Sequence, residues 1–179
     1  MKDGRLRDII DIAIVAAVYV AFTLALYPLS YGSPQFRLSE FLVLLTFFNK
    51  KHGIGVTIGV LIANFFNTEG FALIDCIFGT LSTAIAVILI AFTTKKLFVA
   101  SLYPVLTSII VVFEIWYAMD FAMSFWLIML EVMGSMFIIE SIIGYTVFKL
   151  LSKNKGFLKA IRCNREDLLN GDQSSGVNQ

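Results

Sequence analysis

The chain has 179 residues, of which 58% are hydrophobic and 15% are charged, whereas soluble domains have roughly 45–50% apolar and about 25% charged residues. This composition argues strongly against a soluble fold and predicts a membrane protein. The net charge of +1 argues against a nucleic-acid partner, because the basic residues are spread over loop ends rather than gathered on one face.

Six apolar segments are predicted to cross the membrane as helices. They are residues 9–28, 38–49, 54–67, 72–94, 97–118 and 122–150. The second and third are short and cover only about 20 Å at 1.5 Å per residue, while the hydrocarbon core is about 30 Å thick. We therefore expect these two helices to be buried among longer neighbours, extended by non-helical backbone or matched to a thinned bilayer.

A half-length hairpin formed by the second and third segments is the alternative. It would leave Lys50, Lys51 and His52 inside the membrane, where buried cations are costly. Two complete crossings are therefore favoured. On this interpretation His52 is expected to be a solvated loop residue beside the two lysines.

Thirteen of the 14 Lys and Arg residues fall into clusters between the apolar segments. The clusters are Lys2, Arg5 and Arg7; Lys50 and Lys51; Lys95 and Lys96; and Lys149, Lys153, Lys155, Lys159, Arg162 and Arg165. Enough apolar chain separates successive clusters for two crossings, so every cluster returns to one side, which the positive-inside rule assigns to the cytoplasm. The predicted fold is an all-α integral membrane protein of the cell membrane, with six transmembrane helices and both termini in the cytoplasm.

The chain divides into two predicted regions. Residues 1–153 form the transmembrane domain, and residues 154–179 form a polar cytoplasmic tail. The tail is expected to be partly helical near 156–169 and disordered beyond, because it is rich in Gly, Asn, Gln and Ser.

The first helix carries alanines at a strict four-residue spacing, at Ala13, Ala17, Ala21 and Ala25. This spacing places four small side chains on one stripe, where another helix can approach closely. The approaching helix is either one of the protein's own or part of a partner subunit, and the spacing alone does not choose between them.

Residue patterns typical of catalysis are absent from the sequence. It has no G-x-x-x-x-G-K-[ST] phosphate loop, no cluster of metal ligands and, with its lone histidine predicted to be cytoplasmic, no Ser/His or Cys/His pairing. We therefore predict a protein that is not an enzyme and has no cofactor or metal. Any ATP-driven transport would need an ATPase in another subunit.

Polar residues are concentrated toward the predicted outer ends of the helices. They are Arg37, Glu40, Asn64, Asn67, Asp75, Glu114 and Asp120, with Glu131 deeper and Glu140 in the inner half. Each carboxylate within a span costs about 2.5–3.5 kcal/mol, so their retention predicts one externally facing cavity. Glu40 and Asp75 have an alternative role as caps at helix starts.

Aromatic residues map to the same outer level. They are Tyr31, Phe36, Trp116, Tyr117 and Trp126. Some belong to the interfacial aromatic belt, but rings stacked beside carboxylates and an amide would suit a planar heterocycle with many N–H donors. The excess of carboxylates over Arg37 favours a cationic or donor-rich ligand.

The run from Tyr31 to Glu40, Tyr-Gly-Ser-Pro-Gln-Phe-Arg-Leu-Ser-Glu, resembles the QueT family, which is associated with salvage of queuosine precursors. The similarity continues through residues 44–48, 62–66 and 73–81. Two positions depart from the family pattern. Thr46 stands where Pro is usual, and Met133-Gly134-Ser135 stands where a Gly-Glu pair is common.

The resemblance implies a substrate-capturing S component of an energy-coupling factor transporter. Such a protein binds its substrate near the outer face and works with a transmembrane coupling subunit and two ABC-type ATPases. The implied ligands are 7-deazaguanines, namely queuine or its aminomethyl or cyano precursors, and the implied docking surface for the coupling subunit is Ala13, Ala17 and Ala21. The predicted substrate-binding residues are Tyr31, Phe36, Arg37, Glu40, Asn64, Asp75, Glu114, Tyr117 and Glu131.

Two other functions remain open from the sequence. One keeps the fold and changes the cargo to another vitamin-like heterocycle. The other is a membrane-embedded enzyme acting on a lipid or isoprenoid, with Glu40, Asp75 and Glu114 as acid, base or metal-binding groups.

Overall fold

A computed structural model describes residues 2–31, 36–67, 72–165 and 168, and all regular secondary structure in this part of the chain is helical. The helices begin with α1 (Lys2–Ala25), α2 (Tyr27–Tyr31), and a 3₁₀ helix (Leu38–Leu44) that continues into α3 (Leu45–Phe48). They continue with α4 (Lys50–Phe65), α5 (Ala72–Thr93), α6 (Leu97–Thr107), α7 (Ile109–Ala118) and α8 (Phe125–Met136). They end with a π-helical segment (Phe137–Gly144), α9 (Tyr145–Leu151) and α10 (Lys155–Ala160).

Four of the described helical stretches are long and apolar enough to cross a membrane. They are Gly4–Ala25, Leu73–Thr93, Leu97–Ala118 and Phe125–Leu151. The chain is therefore a multi-pass membrane protein. The two remaining predicted spans correspond to the short helix Leu38–Phe48 and to α4. Residues 42–48 are buried throughout, which agrees with the expectation that a short span is enclosed by longer neighbours.

Helices α1 and α4 lie in close contact because α4 has glycines at the crossing. A Cβ atom at Gly55 would lie 2.6 Å from the backbone oxygen of Ile12, and one at Gly59 would lie 2.8 Å from Cβ of Tyr19. Only a residue without a side chain allows this approach, as is common between membrane helices. The face of α1 that contacts α4 is thus distinct from the alanine stripe, and Ala13, Ala17, Ala21 and Ala25 are all exposed.

The fifth predicted span is interrupted in its middle. Pro104 lies inside α6, and because proline has no N–H and crowds the preceding turn, it disturbs a helix. The helix is broken at Ser108 and restarts as α7. The carbonyl oxygen of Thr107 accepts a 2.8 Å hydrogen bond from Ser82 of α5, which ties the interruption to the neighbouring helix.

The first part of the predicted tail packs against the end of the bundle. The side-chain amide of Asn49 donates to the carbonyl oxygen of Arg162 at 3.0 Å, and the backbone N–H of Asn164 donates to the carbonyl oxygen of Phe48 at 2.9 Å. Leu158 and Cys163 join the hydrophobic core. Most of the tail beyond Arg165 lies outside the described residues.

The expectation for His52 was wrong. It is only 3% exposed and lies in the first turn of α4. Asp11 of α1 and Arg162 lie close enough to interact with it electrostatically. The chain after α10 folds back over the start of α4, which the local sequence around His52 does not reveal.

Candidate substrate-binding site

A cavity with about 530 Å³ of empty space, part of it open to solvent, lies among the 3₁₀ helix, α4, α5, α7 and α8. The volume comparable with that of small-molecule sites, about 300–1,000 Å³, is only about 40 Å³, so the cavity is narrow as it stands. The lining residues are Arg37, Glu40, Asn64, Asp75, Gly79, Ser82, Thr83, Val111, Glu114, Val132, Ser135 and Met136. Five of these, namely Arg37, Glu40, Asn64, Asp75 and Glu114, are predicted site residues.

Helix α5 presents one face to the cavity. Gly79, Ser82 and Thr83 lie four, seven and eight residues after Asp75, which places all four residues on one side of a helix. Gly79 is needed for a close approach, because a Cβ atom there would lie 2.9 Å from the side-chain nitrogen of Asn64. The glycine therefore lets the Asn64 amide sit against α5.

Asn64 connects the basic and acidic sides of the cavity. Its side-chain N–H donates to the backbone oxygen of Asp75 at 2.8 Å, and its side-chain oxygen accepts from the Arg37 guanidinium at 2.6 Å. The Arg37 guanidinium carbon also lies 5.2 Å from the centre of the Tyr31 ring, within range of a cation–π contact. Tyr31 itself is held by a 2.5 Å hydrogen bond from its hydroxyl to the backbone oxygen of Ala63.

Glu40 is buried and is held from α1. Its Oε1 atom accepts a 2.6 Å hydrogen bond from the hydroxyl of Tyr19, which is fully buried. Glu40 lies in the first turn of the 3₁₀ helix, but this bond goes to Tyr19 rather than to the helix backbone. The Arg37 guanidinium donates to Asn64 and interacts with Glu40 through charge without a direct ion pair between the two.

Glu114 is a buried acidic residue of the cavity that lies beside Asp75. It is 3% exposed, and among the described residues Asp75 is the side chain close enough to share a hydrogen bond with its carboxyl group. Asp75 lies close enough to interact with it electrostatically, and the Asp75 carboxylate accepts from the side chain of Asn67. Two acidic side chains buried side by side are costly, so a ligand with N–H donors would be well matched to them.

A family model described as QueT transporter matches residues 9–153. The chain belongs to the QueT transporter family. Its relatives include the protein named queuosine precursor transporter QueT of Lactococcus lactis subsp. cremoris (strain MG1363), which is 49% identical over 87 residues. That alignment covers 48% of this chain and 50% of the relative, so the match spans about half of each protein. No solved structure matches the chain.

Four predicted site residues of this QueT family member do not line the cavity. Tyr31 packs its ring against the Arg37 guanidinium. Phe36 is partly buried in the segment before the 3₁₀ helix. Tyr117 is 64% exposed. Glu131 is half-buried, one helical turn before Ser135.

Seven lining residues were not predicted from the sequence. They are Gly79, Ser82, Thr83, Val111, Val132, Ser135 and Met136. The helical spacing of Gly79, Ser82 and Thr83 from Asp75 was a usable signal. Ser135 was noted only as a departure from the QueT family pattern, yet it lines the cavity directly.

Proposed function

We propose that this QueT family member is the substrate-capturing S component of an energy-coupling factor importer and binds a 7-deazaguanine. Queuine, or its aminomethyl or cyano precursor, would enter the cavity from outside the cell. The single observation that carries the proposal is that two adjacent buried acidic side chains, Glu114 and Asp75, share one cavity with Glu40 and Arg37.

The chemistry of the cavity suits this ligand class. A carboxylate has two acceptor oxygens and can accept from the ring N–H and the exocyclic amine of a deazaguanine together. Three lining carboxylates against one guanidinium leave the cavity formally negative. An aminomethyl ammonium would therefore be accommodated at Asp75 or Glu40, while the Arg37 donors suit the ring carbonyl oxygen.

The distribution of charge supports an outward orientation of the cavity. Asn64 lies near the end of α4 and Asp75 near the start of α5, whereas Lys50 and Lys95 lie at the opposite ends of these helices. With the basic end in the cytoplasm, as the positive-inside rule requires, the cavity faces outward. Six crossings with both termini in the cytoplasm are part of this proposal.

The exposed alanine stripe is evidence that a partner subunit docks on α1. Ala13, Ala17 and Ala21 lie on a face of α1 that is not used against α4. Small side chains on an exposed face permit close helix packing in a membrane. We assign this face to the coupling subunit, which would be driven by two ABC-type ATPases.

The membrane-enzyme alternative has no comparable support. A metal-dependent enzyme of this kind needs several ligands at one place, and no group of three or more His, Cys, Asp or Glu residues that could hold a metal occurs among the described residues. The other alternative, a different vitamin-like heterocycle as cargo, differs from the proposal only in the ligand. A binding experiment therefore separates the two.

The test is a panel of ligands added to the purified full-length protein. Queuine, the aminomethyl and cyano deazaguanines, and several unrelated vitamins are compared by thermal unfolding and calorimetric titration. A ligand bound only by the folded state raises stability by about 2.7 kcal/mol when present at 100 times its Kd. Stabilisation by a vitamin and by none of the deazaguanines would reject the proposed substrate class.

A further inference from the structure

A second cavity lies at the opposite end of the bundle from the candidate substrate site. It is a depression with about 1060 Å³ of empty space, and this volume includes space that is open to solvent. Its walls come from α3, the start of α4, the end of α5 with the turn that follows, and the chain after α10. Segments distant in sequence therefore meet around one space that the proposed transport function does not use.

The lining of this cavity is strongly basic. Lys50, Lys51, Lys95 and Arg165 all contribute to it, and no carboxylate is among its described lining residues. Asp8 of α1 forms a 2.5 Å ion pair with Lys51 and offsets one of these charges. Lys50 and Lys95 still give the described lining an excess of positive charge, which favours an anionic ligand.

A buried neutral donor adds to the cations. Thr46 lines the cavity and is 1% exposed, and its hydroxyl has no hydrogen-bond partner in the described part of the chain. Buried hydroxyls are normally paired, so this one leaves a donor at the cavity wall that no described residue uses.

Aromatic rings hold two of the cations at the cavity. The Arg165 guanidinium carbon lies 4.1 Å from the centre of the Phe47 ring, and the Lys50 ammonium lies 4.2 Å from the centre of the Phe92 ring. Both distances are within cation–π range. Phe92 is 74% exposed, so apolar surface adjoins the charged cavity.

We propose that this basic cavity binds a phosphate group, carried either by the headgroup of an anionic phospholipid or by a free phosphate ester. Phosphate offers several acceptor oxygens, which suits ammonium, guanidinium and hydroxyl donors arriving from separate segments. Basic pockets between membrane helices on the cytoplasmic side are suited to lipid headgroups. This site is independent of the substrate cavity and of its ligand.

The test uses the purified full-length protein in neutral detergent, titrated with phosphatidylglycerol, phosphatidylcholine and glycerol 1-phosphate and followed by native mass spectrometry. The variant Lys50→Gln/Lys95→Gln removes two lining charges. Its control, Lys96→Gln/Lys153→Gln, removes two charges that do not line the cavity. We expect the lining variant to bind phosphatidylglycerol about 10- to 30-fold more weakly, while the control changes by less than about twofold.

Thr46→Val provides a second variant with unchanged net charge. It replaces the unpartnered hydroxyl by a methyl group of similar size, so the fold is retained and only a donor is lost. We expect phosphatidylglycerol binding to weaken about three- to tenfold. Loss of affinity in this variant cannot be explained by a general change in surface charge.

The ligands separate the two sources of phosphate. Tight binding of phosphatidylglycerol without competition from glycerol 1-phosphate identifies a lipid site, whereas comparable binding of both identifies a site for free phosphate esters. The proposal would be overturned if phosphatidylcholine bound as tightly as phosphatidylglycerol, or if the lining and control variants had equal effects. It would also be overturned if neither phosphatidylglycerol nor glycerol 1-phosphate bound.

Discussion

The hydroxyl of Tyr19 donates a 2.6 Å hydrogen bond to Oε1 of Glu40, and this bond joins helix α1 to the candidate substrate cavity. Tyr19 lies on the buried face of α1, whereas Ala17 and Ala21 lie on the exposed face of the same helix. One helix thus contacts a lining carboxylate on one side and offers the proposed docking surface on the other. A displacement of α1 by a partner would reach the cavity through this contact.

Tyr19→Phe is expected to destabilise the protein by about 1–3 kcal/mol, because it leaves the buried Glu40 carboxylate without this donor. Thermal and denaturant unfolding of the purified protein measure the change. Tyr117→Phe is the matched control, since Tyr117 is largely exposed, and it should change stability by less than about 0.5 kcal/mol. Equal stability of Tyr19→Phe and wild type would show that the hydrogen bond does not hold Glu40 in place.

Glu114→Gln is expected to weaken binding of an aminomethyl deazaguanine about ten- to 150-fold. The substitution replaces an acceptor of two hydrogen bonds by an amide and removes charge assistance, which costs about 1.5–3 kcal/mol. Calorimetric titration measures the affinity. Glu131→Gln serves as the control because Glu131 does not line the cavity, and an equal loss in both variants would remove Glu114 from its assigned role.

Gly79→Ala is expected to lower ligand affinity by displacing Asn64, since the added Cβ would lie 2.9 Å from the Asn64 side-chain nitrogen. The displacement would disturb the hydrogen bonds of Asn64 to Arg37 and to the backbone of Asp75. Gly134→Ala is the control, because a Cβ at Gly134 meets nothing within 4 Å, and alanine there should stabilise the helix by up to about 1 kcal/mol. Calorimetry with both variants gives the comparison, and unchanged affinity in Gly79→Ala would count against the role of Asn64.

Ala17→Trp is expected to leave ligand binding by the isolated protein intact and to abolish transport by the assembled complex. The indole ring would hold a partner helix several ångströms away and prevent close backbone packing. Leu127→Trp places the same ring on an exposed position of α8 and should leave transport unaffected. Normal assembly and uptake with Ala17→Trp would show that the alanine stripe faces lipid.

The orientation of the chain can be tested by cysteine labelling in a Cys76→Ala/Cys163→Ala background. Met123→Cys lies at the cavity end of the bundle and Lys153→Cys at the basic end, and both positions are exposed. An impermeant maleimide added to intact cells is expected to label Met123→Cys only. Labelling of Lys153→Cys alone would invert the proposed topology.

Much of the candidate site could be anticipated because membrane insertion leaves a strong trace in the sequence. Carboxylates and an asparagine inside apolar segments are expensive, so their positions pointed to a cavity, and the structure brings Glu40, Asn64, Asp75 and Glu114 together there. Predictions based on aromatic character were weaker. Tyr117 is exposed on the surface of the bundle and does not line the cavity. Aromatic rings are common at the membrane boundary without any binding role.

Sequence alone determined that this is an α-helical, multi-pass membrane protein, since apolar length and charge placement are properties of each segment by itself. Which side chains meet was decided only by the tertiary structure. Arg37 bonds to Asn64 rather than to Glu40, and His52 is buried rather than solvated. These outcomes depend on how closely and at what rotation the helices pack, and glycines such as Gly59 and Gly79 set those approaches across long distances in the chain.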